Sequence, residues 1–226
     1  MHHSGYPKSN KRRLIINKRY IAVEGPIGVG KTTLARRIAT SIGAGLILEQ
    51  PADNPFLERF YKFPKQYALQ TQLHFLFQRF QQLKDLGQGD LITPLQIADY
   101  MLDKDPLFAR LTLDADELHL YESVYRQMNH SIPTPDLVIY LQAPIDMLAE
   151  RIHRRGILFE RRMERQYLNR LSEAYAQFFL NYRKSALLMI NVENVDFLNN
   201  AEHYELLLKQ IISISSGRHY FNPVLE

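Results

Sequence analysis

Gly25 is followed, after four intervening residues, by Gly30, Lys31 and Thr32, and residues of these types at this spacing can cradle a polyphosphate. Gly25, Gly28 and Gly30 let the backbone approach phosphate oxygens and turn its N–H groups inward, with Pro26, Ile27 and Val29 completing the loop. Lys31 is placed to neutralise the outer phosphates of a nucleotide. The Thr32 hydroxyl is placed to help hold Mg²⁺, and Thr33 carries the loop into the next element. Such a loop needs a strand before it and a helix after it. The apolar run 20–24 supplies the first. The second is a helix from 31 to about 41 with Leu34, Ala35, Ile38 and Ala39 on one face, its positive dipole end aimed at the same anion. A glycine-rich turn that binds nothing is the alternative, and the strand–loop–helix context weighs against it.

Two further carboxylates fall at strand ends. The short apolar run 46–48 stops at Glu49, and a strand over 91–98, with Pro94 near its irregular start, stops at Asp99. In open parallel sheets ligands collect beyond the carboxyl ends of strands, so both acids are expected beside the phosphate loop. There Glu49 can act as a general base and Asp99 can serve a metal ion. Gln72 and Arg79 lie seven apart on a helix expected over 64–86, hence on one face two turns apart. Arg151, Arg154 and Arg155 sit at i, i+3 and i+4 near the end of a helix over 144–155. They suit either a phosphoryl group or, more simply, the negative end of the helix dipole.

The chain has 226 residues, 46% hydrophobic and 23% charged, which suits one large α/β domain over 20–226. Lys8, Lys11, Arg12, Arg13, Lys18 and Arg19 make 1–19 a basic segment, expected to be solvated and poorly ordered. No recognition motif accompanies that charge, so nucleic-acid binding is not expected. His2 and His3 are left out of the fold, as tag remnant or native residues. With no cysteine, disulfides and thiolate metal sites are excluded, which is compatible with a cytoplasmic setting. No apolar run reaches bilayer-spanning length, and no signal-peptide pattern opens the chain. Further helices are expected from 53, over 100–105, 114–129, from about 165 to 182 and over 199–212. Further strands are expected over 136–141 and 187–190, before a tail at 221–226. Strands alternate with helices throughout, predicting a doubly wound, five-stranded parallel sheet flanked by helices.

Taken together these motifs resemble the deoxynucleoside kinase family, P-loop enzymes that phosphorylate the 5′-hydroxyl of deoxynucleosides. Within it they look most like bacterial deoxyadenosine, deoxyguanosine or general deoxynucleoside kinases. The resemblance runs from about 20 to 197 and rests on ordered motifs. These are the phosphate loop, Glu49-Gln50-Pro51, Tyr61 with Gln72 and Arg79, Asp99, and Arg151 with Arg155, Gly156 and Glu160. It implies ATP and Mg²⁺ as cofactors, a deoxynucleoside substrate, a homodimer, and a lid near 151–165. By the same resemblance Glu49 is the general base, with Thr32, Glu49 and Asp99 near the metal. Gln72 reads the base, while Tyr61 and Glu160 hold the 3′-hydroxyl. Arg79 and Asp105 form a base-recognising pair that favours a purine or cytosine, or else an ordinary structural ion pair. Arg151 and Arg155 bear on the transferring group, and Val195, Asp196 and Phe197 cradle the adenine of ATP. Tyr67 is a candidate to stack on the substrate base; Phe75 and Phe108 read equally well as core.

Two positions depart from the family pattern. Ile157 follows the lid glycine and Tyr100 follows the strand-end acid, where arginines are common. Arg154, Arg161 or Lys104 are candidates to replace those charges. The rival expectations are a thymidylate-like nucleoside monophosphate kinase on the same fold, and a nucleotide-binding regulator that has lost catalysis. For the homodimer, apolar surfaces at Leu113, Leu118 and Tyr125 are the expected contacts.

Overall fold

A computed structural model describes residues 18–87, 95–129, 132–157, 160, 163–193, 195–197 and 199–221. His2, His3, most of the basic N-terminal segment, the expected strand start at 91–94, Arg161 and the residues after Phe221 lie outside them.

The sheet explains itself from residue type. β1 (Tyr20–Glu24), β4 (Leu137–Gln142) and β5 (Ala186–Asn191) are almost continuously apolar, as strands covered on both faces must be. Alternate residues serve opposite faces. Ile21, Val23, Ile139, Leu188 and Ile190 join one core, beneath α1 (Lys31–Ile42) and α8 (Ala201–Ser213). Tyr20, Ala22, Val138, Tyr140, Leu187 and Met189 join the other. That second core lies against α3 (Pro64–Lys84), α4 (Asp105–Thr112), α5 (Ala115–Asn129) and α7 (Arg165–Asn181). Tyr140 stacks on Phe179 with ring centroids 4.2 Å apart, locking α7 to the sheet.

All strand pairings are parallel, and the order is β2-β3-β1-β4-β5-β6, with β2 Gly45–Ile47, β3 Gln96–Ala98 and β6 Arg218–Phe221. The chain fills β2 and β3 on one side of β1, then crosses to β4 on the other. The loop after β1 therefore sits at the switch point of the sheet, where ligands bind.

The doubly wound architecture is as expected, but the sheet has six strands among the described residues rather than five. The sixth, Arg-His-Tyr-Phe, buries only Phe221 among its four side chains, so its sequence carries no apolar run. It forms because its backbone pairs with Leu187–Ile190 at the edge of the sheet. The expected helix start at 53–55 also differs. Pro51–Asp53 forms a short 3₁₀ turn, Asn54 Oδ1 accepts from Phe56 N at 3.0 Å, and α2 runs Leu57–Lys62. No helix among the described residues is long and apolar enough to cross a membrane.

Candidate active site

The phosphate loop can take its shape only with glycine. Gly25, Gly28 and Gly30 have φ of 148°, 85° and 107°. A Cβ on Gly25 would meet the Leu141 carbonyl oxygen at 2.5 Å, and one on Gly28 would meet Ile152 Cγ1 at 2.9 Å. A Cβ on Gly30 would meet nothing within 4 Å, so at that position the backbone conformation alone asks for glycine. α1 starts directly after Gly30 with no side-chain cap, leaving its first N–H groups for an anion. Lys31 Nζ donates to the carbonyls of Gly25 at 2.8 Å and Pro26 at 3.2 Å, folded over the loop it serves. Burial, then the neighbouring Lys104 cation, lowers its pKa to about 8, against the pull of Glu24, Glu49 and Asp99.

The strand-end acids meet as expected. Asp99 is buried at the end of β3; its Oδ2 accepts from Thr32 Oγ1 at 2.5 Å and its Oδ1 from the Glu49 backbone N at 2.8 Å. One carboxylate thus ties the phosphate-loop threonine to the strand carrying the candidate base. The Glu49 side chain points elsewhere. Its Oε1 accepts from Arg79 Nε at 2.8 Å and from a second guanidinium nitrogen, and Lys104 Nζ lies 3.7 Å away. Burial acts to raise the Glu49 pKa. Arg79, Lys104 and Lys31 overcome it and hold the carboxyl well below the usual carboxylate range. Thr32 and Asp99 thus meet through their side-chain oxygens, while the Glu49 carboxylate, expected near a metal, is paired with Arg79.

Arg79 also pairs with Asp105, which is almost wholly buried, so the expected Arg–Asp pair is present. It is shared with the candidate base, which the spacing along α3 did not foretell. Gln72, on the same face, donates through Nε2 to Thr112 Oγ1 at 3.4 Å. Arg155 forms a two-point ion pair with Glu160, Nε to Oε2 being 3.0 Å. Tyr61 lies close by. Burial, then Tyr167 and Glu160, pushes its phenol pKa well up, so it stays a hydrogen-bond donor. Arg151 donates to the Val29 carbonyl at 3.0 Å, drawing α6 (Ile145–Arg155) onto the loop.

Two cavities open from this centre. One, of about 770 Å³, is lined by Gly28 to Thr33, Arg151, Arg154, Arg155, Val195, Asp196, Phe197, Asn199 and His203. The other, of about 520 Å³, is lined by Glu49, Tyr61, Gln72, Phe75, Arg79, Asp99, Lys104, Phe108, Ile157, Glu160 and Tyr167 among others. Gly28, Lys31, Thr32 and Arg155 border both. Both are large enough for a nucleoside or nucleotide.

Tyr67 is not brought to either cavity. It packs in a satellite cluster with Leu57, Phe60 and Ala68, with the Arg59 guanidinium 5.7 Å over its ring. Phe60, Tyr61, Phe75, Phe108 and Tyr167 are the aromatics that line the smaller cavity, and no period in the sequence separates such a ring from a core one. Two charged residues were undervalued by sequence reasoning. Glu24 is fully buried, accepting from Gly25 N at 3.2 Å, Met101 N at 2.7 Å and Tyr175 Oη at 3.2 Å. Its signal was a lone charge ending an apolar strand. Lys104 is equally buried, bridging Glu24 at 3.8 Å and Glu49 at 3.7 Å. It places a cation beside the candidate base, while Tyr100 is buried with its hydroxyl on Gln82 Oε1 at 2.5 Å. Arg154 borders the larger cavity, and Ile157 is an apolar part of the smaller.

Leu113, Leu118 and Tyr125, expected to face a second subunit, are half-buried and pack in part on the chain's own second core. The exposed large apolar side chains on α3 and α5 are Phe77 and Leu120.

Comparison with known proteins adds to the geometry. The family described as deoxynucleoside kinase matches residues 21–215. A deoxyguanosine kinase of Bacillus subtilis (strain 168) is 33% identical over 201 residues, which is 85% of this chain and 95% of that protein. A deoxyadenosine/deoxycytidine kinase of the same organism is 28% identical over 203 residues, 86% of this chain and 92% of that one. A solved deoxyadenosine kinase from M. mycoides, with products dCMP and a flexible dCDP bound, superimposes with a TM-score of 0.75 at 26% identity. That comparison covers 86% of this chain and all of the other.

Proposed function

The chain belongs to the deoxynucleoside kinase family, and from that premise we propose a Mg²⁺-dependent transfer of the ATP γ-phosphoryl group to the 5′-hydroxyl of a purine deoxynucleoside or deoxycytidine. As a family member it is an ATP-dependent phosphotransferase acting on deoxynucleosides. The product, a deoxynucleoside 5′-monophosphate, would serve salvage in the cytoplasm.

The observation that carries this reading is the pair of cavities sharing one border. Gly28, Lys31, Thr32 and Arg155 edge both, so a donor nucleotide on the phosphate loop and an acceptor beside Glu49 would meet there. Phosphoryl transfer asks mainly for such positioning and for cations where charge builds up. Lys31 and Arg155 would supply those cations at the border, with Arg151 and Arg154 on the donor side. Glu49 would accept the 5′-hydroxyl proton. Tyr61 and Glu160 would hold the sugar, and Gln72 with the Arg79–Asp105 pair would face the base. The relatives named for deoxyguanosine and for deoxyadenosine/deoxycytidine support a purine or cytosine acceptor.

The donor set suits magnesium: a hydroxyl and a carboxylate, Thr32 and Asp99, already joined at 2.5 Å. Mg²⁺ is commonly held by one or two protein oxygens plus substrate phosphates. When bound, the ion would neutralise charge on the β- and γ-phosphates.

The test is product identity. With ATP and deoxyguanosine, deoxyadenosine or deoxycytidine, phosphorus NMR should show a 5′-monophosphate. EDTA should stop turnover and added Mg²⁺ restore it. A 5′-deoxy analogue should be inert, and clear preference for thymidine would overturn the choice of base.

The Lys31 pKa near 8 adds a pH prediction. The bound polyphosphate favours the charged lysine and raises that pKa, so ATP binding near pH 8 should take up a fraction of a proton. Above pH 8 affinity should fall by up to about tenfold per pH unit. Calorimetric titrations in buffers of different ionisation enthalpy read the uptake directly; an enthalpy independent of buffer at pH 8 would contradict it. We also propose a homodimer, with Phe77 and Leu120 as contacts on α3 and α5, measurable by light scattering.

A further inference from the structure

His203 stands in the first turn of α8, its backbone N held by the Asn200 Oδ1 cap at 3.1 Å. Its side chain is 5% exposed, and among the described residues neither Nδ1 nor Nε2 has a hydrogen-bond partner. A buried imidazole left in that state forfeits the water it would otherwise bind and gains nothing in return. Other polar groups nearby are satisfied: the Asp196 carboxylate accepts from Asn199 N and from Asn199 Nδ2, both at 2.9 Å.

His203 is part of the lining of the larger cavity. Phosphates placed on Gly28 to Thr33, at the start of α1 and beside Arg151 and Arg154, direct the rest of a nucleotide toward Val195, Phe197 and His203. That end has apolar walls for a flat ring and an imidazole in need of a partner. A neutral imidazole offers one donor and one acceptor, and the edge of an adenine carries both an amino donor and ring-nitrogen acceptors.

We propose that His203 hydrogen-bonds the nucleobase of the phosphate donor. It is a donor-binding residue for the reaction, and the inference rests on the larger cavity being the donor site.

His203→Leu replaces the ring by an apolar side chain of similar size. ATP should bind roughly fivefold to tenfold more weakly, the loss of one hydrogen bond. Inorganic tripolyphosphate, which has no base, should bind parent and variant alike. The acceptor KM, and kcat at saturating ATP, should stay within about twofold. The unliganded variant should melt no lower than the parent, because the substitution removes a buried polar group that has no partner. His203→Gln, which keeps a donor and an acceptor, should recover part of the ATP affinity. Equal weakening of ATP and tripolyphosphate, unchanged ATP affinity, or a variant that melts lower and loses all ligands alike would each overturn the assignment. Failure of ATP to bind the parent protein would instead overturn the donor-site reading on which it rests.

Discussion

Glu49→Gln should lower turnover by about 10²–10⁴-fold while leaving ATP affinity within twofold of the parent. The substitution keeps the shape of the side chain and an oxygen for Arg79, but removes the group that would take the 5′-hydroxyl proton. Of the two cavities Glu49 borders only the smaller, so ATP binding in the larger should not register the change. Folding should also survive. Arg79 retains Asp105 and Lys104 retains Glu24, so no buried cation is stranded. Coupled measurement of ADP release, beside calorimetric ATP binding, separates the two effects; a variant keeping more than a tenth of parental turnover would remove Glu49 as the base. Because the Glu49 carboxyl is held below its ordinary value of 4.5, its pairing stabilises the fold fully above that pH. That contribution is lost only as pH falls through the folded-state value, so the parent's activity between pH 5 and 7 should show no acidic limb from this residue.

Arg79→Leu should cost about 3–5 kcal/mol of unfolding free energy. Arg79 is 4% exposed and Asp105 1%, so the substitution strands a carboxylate that water cannot reach. Glu49 loses its guanidinium at the same time. The double variant Arg79→Leu with Asp105→Leu should recover much of that loss, since replacing a whole buried pair with apolar groups is often close to neutral. Urea unfolding of the single and the double variant at pH 7.5 tests both points. A single variant within 1 kcal/mol of the parent would show that the pair carries little of the fold's stability.

How far the chain could be read in advance depends on what each residue answers to. Gly25, Gly28, Gly30, Lys31 and Thr32 answer to a local geometry, so their spacing alone was informative, and the positive φ values bear it out. Glu49 and Asp99 were legible as charges that end apolar runs. The Arg79–Asp105 contact followed from the family resemblance rather than from spacing.

What escaped notice answers to three-dimensional neighbours. β6 exists because β5 offers it a backbone edge, and Arg218 to Phe221 have no apolar pattern to announce it. Tyr67 and Tyr167 are both aromatics on long helices, yet one packs in a side cluster and the other faces the acceptor cavity. Leu113, Leu118 and Tyr125 pack in part on a second core that their sequence pattern does not reveal. The sharing of Arg79 between Glu49 and Asp105 depends on the segment after β2 lying against α3, and Lys104 reaches Glu49 from the turn that follows β3. No one-dimensional spacing encodes either approach.

The most direct test of the central claim is ATP-dependent phosphorylation of deoxyadenosine, deoxyguanosine, deoxycytidine, thymidine and dTMP in parallel, each with parent and Glu49→Gln protein. Turnover of a purine deoxynucleoside or deoxycytidine to its 5′-monophosphate, with dTMP inert and the variant reduced at least a hundredfold, is the result expected. Bound ATP with no phosphorylated nucleoside, or turnover confined to dTMP, would contradict the account.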